Sequence, residues 1–382
     1  MHLGMHSLVL KLREKAAHLN RAPVVTVTLL VAAFYIAFTL VALALHGWDP
    51  MWFVWIGERY AELDPAGRTG YDGQFVYYIA SYGADGVAHL DNPVYRLQRI
   101  LYPAVVRLAS CGVTSLVPWV LITINLAAIV VSTYLLAQWL ADQSLSPWYA
   151  LMASMYVGMF LAYTRDLTEP LALCLAASGA RMWLNGKPVR SVVLLALAAL
   201  TKEISLIFAF GIFLAALTRR DFRAALWASV AVLPLLAWEI YLFVTLGAFP
   251  FASGPSLERV PLMGIVPHLT LDAGRLSAFL FAGLPGFVLL WVACGFLWRQ
   301  RGQSPIAWWV FLNGLFVVLL PLDVYNHIMH AGRNASGLMV SLVFLLPLVD
   351  KRHRVFLAGY LVVPTAVWLV PVLRWAPWLS AW

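Results

Sequence analysis

Apolar runs of spanning or half-spanning length alternate with short polar turns along most of the chain, and the one long interruption falls early, at residues 46–99. A hydrocarbon core of about 30 Å is crossed by roughly 20 apolar helical residues, whereas barrel strands would appear as segments of about ten alternating residues. The pattern therefore predicts helices, at residues 24–45, 116–140, 147–162, 167–184, 191–200, 204–217, 222–246, 278–298, 305–322, 335–349 and 355–372. That makes about eleven crossings of an all-α polytopic membrane protein, with residues 1–382 forming a single transmembrane domain. The runs 191–200 and 204–217 are each short for a span, but merging them would invert every later loop. Thr201-Lys202-Glu203 is accordingly read as a break between two half-length crossings. Residues 100–112, punctuated by Pro103 and Arg107, are too short to cross and read as a helix at the interface, completing a long first extracytoplasmic loop. Pro23 opens the first crossing. Residues 1–23, with Lys11, Arg13, Lys15 and Arg21, read as a basic cytoplasmic leader without a small-residue cleavage site. Residues 247–277 and 323–334 are read as further outer loops.

Composition sharpens this picture. Of 382 residues, 62% are hydrophobic and 12% charged, with a mean hydropathy of +0.81, too little polar surface to cover a soluble globule. The formal net charge of +8 is no nucleic-acid signal, because many of the basic residues collect at helix ends. With the N-terminus inside, the inner turns take fifteen of the 26 lysines and arginines but only Glu14, Asp142, Asp221 and Asp350 of the 18 acids. The positive-inside rule is satisfied, and most acids face the outer compartment. Cys111, Cys174 and Cys294 lie in or beside apolar runs without CxxC spacing and imply neither a disulfide nor a metal framework.

Five polar clusters converge on that outer face. In Gly70-Tyr71-Asp72-Gly73-Gln74-Phe75, Asp72 sits among aromatics between two glycines that permit a tight turn, with Tyr71 and Gln74 beside it. A carboxylate so placed can take a proton from a sugar hydroxyl, which makes Asp72 the candidate catalytic base; a solvated loop aspartate, like Asp49, Asp64 or Asp91, is the plain alternative. Arg96 and Arg99, three apart on one helical face, suit a lipid phosphate, against ordinary interfacial snorkelling. At the third cluster Asp166 or Thr168 can cap a helix with Pro170 in its first turn, which leaves Arg165 and Glu169 to be explained. Lys202 and Glu203 stand between two half-spans, where they are costly unless they line a polar cavity or pair with Glu169 or Asp166. The fifth cluster holds His327, His330 and Arg333. His327, His330 and Asp323 can be drawn as a metal set, but nothing in the sequence supplies its second shell, and no metal is expected.

Those residues carry a resemblance. Tyr71-Asp72-Gly73 through Tyr78-Ile79-Ala80, followed by Arg99-Ile100-Leu101-Tyr102-Pro103, resembles the first luminal loop of the GPI mannosyltransferase II family, with its W-D-x-x-x-Y-x-x-I-A and P-L-Y-P segments. Thr168-Glu169-Pro170-Leu171 is similar to that family's T-E-S-L, and Leu197 to Lys202 resembles a helix turn with a basic residue widespread in GT-C glycosyltransferases. The wording Tyr-Asp-Gly-Gln-Phe with Tyr95-Arg96-Leu97-Gln98-Arg99 is closer still to related bacterial membrane proteins of that superfamily. The chain departs from the eukaryotic pattern in Tyr71, Pro170 and Lys202, and the motifs cover about its first 220 residues. The resemblance implies a GT-C-like fold in the bacterial inner membrane, with its active site on the extracytoplasmic side. It implies an inverting transfer of mannose or a similar sugar from a polyprenyl-phosphate co-substrate to a lipid- or glycan-linked acceptor, without a cofactor. Asp72 would be the base, and Arg96, Arg99, Lys202 and Arg333 would hold the donor phosphate. Tyr71, Gln74, Arg165, Asp166, Glu169, Glu203, His327 and His330 would support substrate binding.

The rival class is a flippase or transporter that moves a glycolipid without chemistry. Transporters carry ionisable groups on broken helices near the midplane and show internal repeats, whereas here the acids crowd into one loop and no repeat is visible. Membrane lipids are the expected surroundings, no nucleic-acid partner is expected, and the sequence leaves the sugar, acceptor and oligomeric state open.

Overall fold

A computed structural model describes residues 2–254, 256–265 and 272–374, with side chains from Ala22 onward. Among them there are helices and turns and no strand, and the chain is an α-helical integral membrane protein. Five helices are long and apolar enough to cross a bilayer: Ala22–Leu45, Thr114–Asp142, Ala273–Arg299, Ile328–Leu348 and Lys351–Arg374. A sixth follows if Phe222–Val230 and Leu233–Leu246, bent by 41° where Pro234 interrupts the ladder, count as one span. Pro188–Thr201, Glu203–Thr218 and Pro305–Val318 are shorter apolar helices.

The helix Ile328–Leu348 is the axis of the bundle. Its most apolar stretch is 78% buried, against 22% for Lys351–Arg374, so protein surrounds the first while the second turns most of its surface outward. Small residues let neighbours approach it closely. A Cβ on Gly158 would stand 2.0 Å from the Gly332 carbonyl oxygen, so Val157–Tyr163 crosses the axis backbone to backbone.

Several boundaries differ from the hydropathy reading. Pro23 lies inside the helix His2–Leu45 and does not open it. The expected crossing at 147–162 is three short pieces, Pro147–Ala150, Leu151–Ser154 and Val157–Tyr163, broken at Met155 and Tyr156. Buried partners hold that break: the Met155 carbonyl accepts from the Thr365 hydroxyl at 2.5 Å and the Tyr156 hydroxyl donates to the Phe281 carbonyl at 2.5 Å. The expected outer loop 323–334 is instead a turn, Leu322–Tyr325, followed by the start of the axis helix, which takes in His330, Arg333 and Asn334. Those polar side chains lie where the helix meets the site, so hydropathy alone misplaces its start by seven residues. The chain does break between Pro188–Thr201 and Glu203–Thr218, at Lys202 in extended conformation.

The loop 46–99 is folded. It contains Met51–Val54, Glu58–Ala61, Gly73–Tyr82, the 3-10 turn Gly83–His89 and Pro93–Leu97, and it leads into Leu101–Ala109. Its own apolar residues, among them Val54, Phe75, Tyr78, Ile79 and Leu90, pack with Tyr102, Val106 and Leu121 into a second hydrophobic cluster. This layer therefore has a fixed shape, and it carries Asp72.

Candidate active site

Three turns hold Asp72. Trp55 ends Met51–Val54 in the left-handed region at φ 52°, and its carbonyl accepts the Tyr71 amide at 3.0 Å. Gly70 takes φ 65°, and a Cβ on Gly73 would lie 2.1 Å from the Arg165 carbonyl oxygen. The Asp72 turn thus rests directly on the turn before Glu169, a contact only glycine allows. Gln74 secures the same turn from beneath, accepting from the Gly57 amide at 3.1 Å and donating to the Thr69 carbonyl at 2.6 Å.

Asp72 begins Gly73–Tyr82 but makes no capping bond. Its carboxylate lies between two guanidinium groups, 2.6 Å from Arg333 Nη2 and 3.1 Å from Arg96 Nη2. Burial raises its pKa, but Arg333 and then Arg96 outweigh that and hold it well below the usual carboxylate range. Arg96 also binds Asp91 through Nε and Nη2, both at 2.7 Å, and lies 4.2 Å from the Phe75 ring centre. Arg99 grips Glu203 in a fork at 2.9 and 2.7 Å and donates to the Tyr95 hydroxyl at 2.6 Å. Glu169 accepts from Lys202 Nζ at 2.5 Å and lies 3.9 Å from Arg333 Nε. Tyr71 stands over this network, its hydroxyl 3.0 Å from His330 Nδ1 and the Arg333 guanidinium 5.2 Å from its ring centre.

A cavity of about 20 Å³ is lined by Asp72, Arg96, Arg99, Thr168, Glu169 and Arg333, with Phe75, Val76, Ile79, Pro103 and Leu167. That is room for about one water molecule. A second recess of about 20 Å³ lies on the other side of Glu169 and Arg333, against Lys202, Ser205, Asn313 and Asn334. Among the described residues, Glu169 Oε2 and Ser205 Oγ have no hydrogen-bond partner, although both are buried. Ile79 and Pro103, which line the Asp72 cavity, also line an apolar groove of about 390 Å³ walled by Leu97, Ile100, Trp238, Tyr241, Leu242 and Leu246. Trp238 is fixed there by its indole N–H on the Leu97 carbonyl at 2.8 Å.

Of the residues read from the sequence, Asp72, Arg96, Arg99, Glu169 and Arg333 meet at one cavity, and Lys202 joins them through Glu169. Arg96 and Arg99 do not share a helical face, since the helix ends at Leu97; they reach the cavity from a helix and the turn after it. Glu203 serves Arg99, and Gln74 serves the loop. Neither Asp166 nor Thr168 caps Glu169–Leu184 through its side chain. Asp166 sits at φ 48°, fully buried, its carboxyl without a hydrogen-bond partner among the described residues, and burial pushes its pKa well above the carboxylate range. Arg165 points away from the cavity, between the Trp52 and Trp55 rings at 4.7 and 4.3 Å. His327 accepts from the Met329 amide at 3.1 Å, capping the axis helix. Among the described residues no group of three His, Cys, Asp or Glu side chains is placed to hold a metal. The sequence reading took Asp91 for a solvated loop acid, whereas it pairs with Arg96, and it missed the groove around Trp238.

No family model matches the chain, and neither do any curated proteins or solved structures. The site's geometry stands alone.

Proposed function

We propose that this protein is a GT-C-type inverting glycosyltransferase that moves a sugar from a polyprenyl-phosphate donor to a lipid- or glycan-linked acceptor on the extracytoplasmic face of a bacterial inner membrane. One observation carries the reading: a carboxylate paired with two arginines at a small polar cavity that shares Ile79 and Pro103 with an apolar groove. The groove suits a prenyl chain, and the arginines suit the phosphate at its head. In the reaction the acceptor hydroxyl oxygen bonds the anomeric carbon while the bond from that carbon to the phosphate oxygen breaks. Asp72 takes the hydroxyl proton, and Arg96, Arg99 and Arg333 receive the negative charge that collects on the departing polyprenyl phosphate.

Asp72 as it stands is a poor base, since its lone pairs are engaged by Arg96 and Arg333. The cavity is also too small for a phosphate until those pairs open. Both obstacles have one solution. A donor phosphate that draws Arg96 and Arg333 onto itself makes the room it needs and returns Asp72 towards ordinary carboxylate basicity, so the base becomes competent only with donor bound.

The test is consumption of radiolabelled polyprenyl-phosphate sugars by detergent-purified protein, one sugar at a time. Release of polyprenyl phosphate with inversion at the sugar supports the reading. Movement of intact glycolipid across vesicles, with no cleavage of any donor, would establish the flippase class instead.

A further inference from the structure

A separate cleft, of about 330 Å³, has as one wall Trp55, the residue that stacks on Tyr71. It is lined by His46, Asp49, Trp52, Trp55 and Arg165, with Met51 and Ile56, and shares no residue with the cavity at Asp72. We propose that this cleft is a saccharide-binding site, holding a sugar residue of the acceptor; the acceptor role rests on the transferase reading above. The volume falls in the range of about 300–1,000 Å³ usual for small-molecule clefts, whereas the Asp72 cavity of about 20 Å³ does not. Its lining joins the edges of two indoles, whose faces lie against His46, Arg165 and Tyr71, with the exposed Asp49 carboxylate, which can accept from a sugar's hydroxyls. One cation against one carboxylate suits a neutral polyol better than a phosphate.

The cleft is also rigid and coupled to the base. His46 stacks on Trp52 at 4.8 Å and 17°, and Arg165 Nη1 donates to the Trp52 and Thr164 carbonyls at 3.3 and 2.8 Å. Trp55 stacks on Tyr71 at 6.2 Å and 24° and its carbonyl accepts the Tyr71 amide, so the cleft wall is bonded directly to the residue before Asp72. Donor and acceptor sites that share no lining residue can be filled together, as a direct displacement requires.

The experiment uses the full chain in a detergent without a sugar head. Saturation-transfer NMR with methyl α-mannopyranoside and methyl α-glucopyranoside should give a signal that falls at least fivefold in Asp49→Asn, at an exposed position, and in His46→Gln, which also removes the stack on Trp52 and is read only with an unchanged melting temperature. Arg96→Ala should leave that signal in place, and inorganic phosphate should not displace it. Displacement by phosphate, or a signal indifferent to Asp49→Asn and His46→Gln, overturns the site, as does no signal at all. With active enzyme, Asp49→Asn should raise the acceptor KM at least fivefold at unchanged donor KM; repeating this with a soluble oligosaccharide and with a glycolipid tells a free glycan from a lipid-linked one. Hexoside binding here by a protein that cleaves no polyprenyl-phosphate sugar would keep the site and remove the transferase reading. Sugar transfer with wild-type acceptor KM in Asp49→Asn would do the reverse.

Discussion

At the scale of the residue, the argument rests on what Asp72 touches. Asp72→Asn keeps size and most hydrogen-bonding shape but removes the lone pair that accepts the proton, so turnover should fall by about 10²–10⁴-fold. Donor binding should be unchanged or tighter, because Arg96 and Arg333 lose the carboxylate that competes with phosphate. A purely structural Asp72 would show the opposite, weakened binding together with a lower melting temperature. The matched control is Asp64→Asn, since Asp64 is exposed and only ties its own turn through the Ala66 amide at 2.9 Å. Asp91 is no control, being the second partner of Arg96, and Asp49 lines the other cleft. Arg96→Ala, Arg99→Ala and Arg333→Ala should each cost about tenfold or more in transfer, the loss of a charge-assisted contact worth about 1.5–3 kcal/mol. Wild-type donor affinity in all three would reduce these arginines to anchors. Asp72, Arg99, Glu169, Lys202 and Arg333 were legible in the sequence because charges in so apolar a chain need a reason. The Asp91–Arg96 pair and the Trp52–Arg165–Trp55 stack were not, since loop acids and indoles acquire partners only when the loop folds.

At the scale of the element, hydropathy found the runs but not how they bend. It placed the break at Lys202 correctly, because a Lys-Glu pair interrupts two apolar stretches there. It missed the break at Met155, where no charge, glycine or proline marks the sequence and the partners that hold it, the Thr365 hydroxyl and the Phe281 carbonyl, are distant in the chain. It also began the axis helix too late, since Arg333 and His330 look like loop residues until the site beside them is known. Glycine contacts test this packing. In Gly158→Ala the new Cβ meets the Gly332 carbonyl at 2.0 Å, backbone against backbone, so the two helices must part. We expect about 1–3 kcal/mol of destabilisation, seen as a lower melting temperature in detergent, with lost activity because Gly332 adjoins Arg333. Gly359→Ala lies on a helix with nothing within 4 Å of the added carbon and should be neutral or stabilising by up to about 1 kcal/mol. Equal melting shifts in the two variants would refute the close crossing.

At the scale of the whole molecule, the proposed function requires the site to lie on one side of the membrane and the basic turns on the other. The axis helix Ile328–Leu348 starts with His330 and Arg333 at the site and ends beside Asp350 and the basic run Lys351-Arg352-His353-Arg354. Its 21 residues rise by about 30 Å, the thickness of a hydrocarbon core, so a crossing by this helix sets the site and that run on opposite faces. Ala273–Arg299 is a second such helix, ending beside Arg299 and Arg301. In the orientation proposed above, the excess of lysine and arginine at these far ends faces the cytoplasm and the acid-rich layer with Asp72 faces outside. Single cysteines replacing Asp85 and His353, in a chain whose native cysteines are changed to serine, test this in intact cells with a maleimide that cannot cross the membrane. Asp85→Cys, in the 3-10 turn of the loop layer, should be labelled, and His353→Cys should be labelled only after the cells are opened. The reverse pattern would put the site in the cytoplasm, facing the compartment where nucleotide-activated sugars are made. Asp72 would keep its arginines in that case, but the donor assigned here and the direction of transfer would both be lost. Labelling of both positions in intact cells would mean that the axis helix does not cross, and the architecture itself would have to be abandoned.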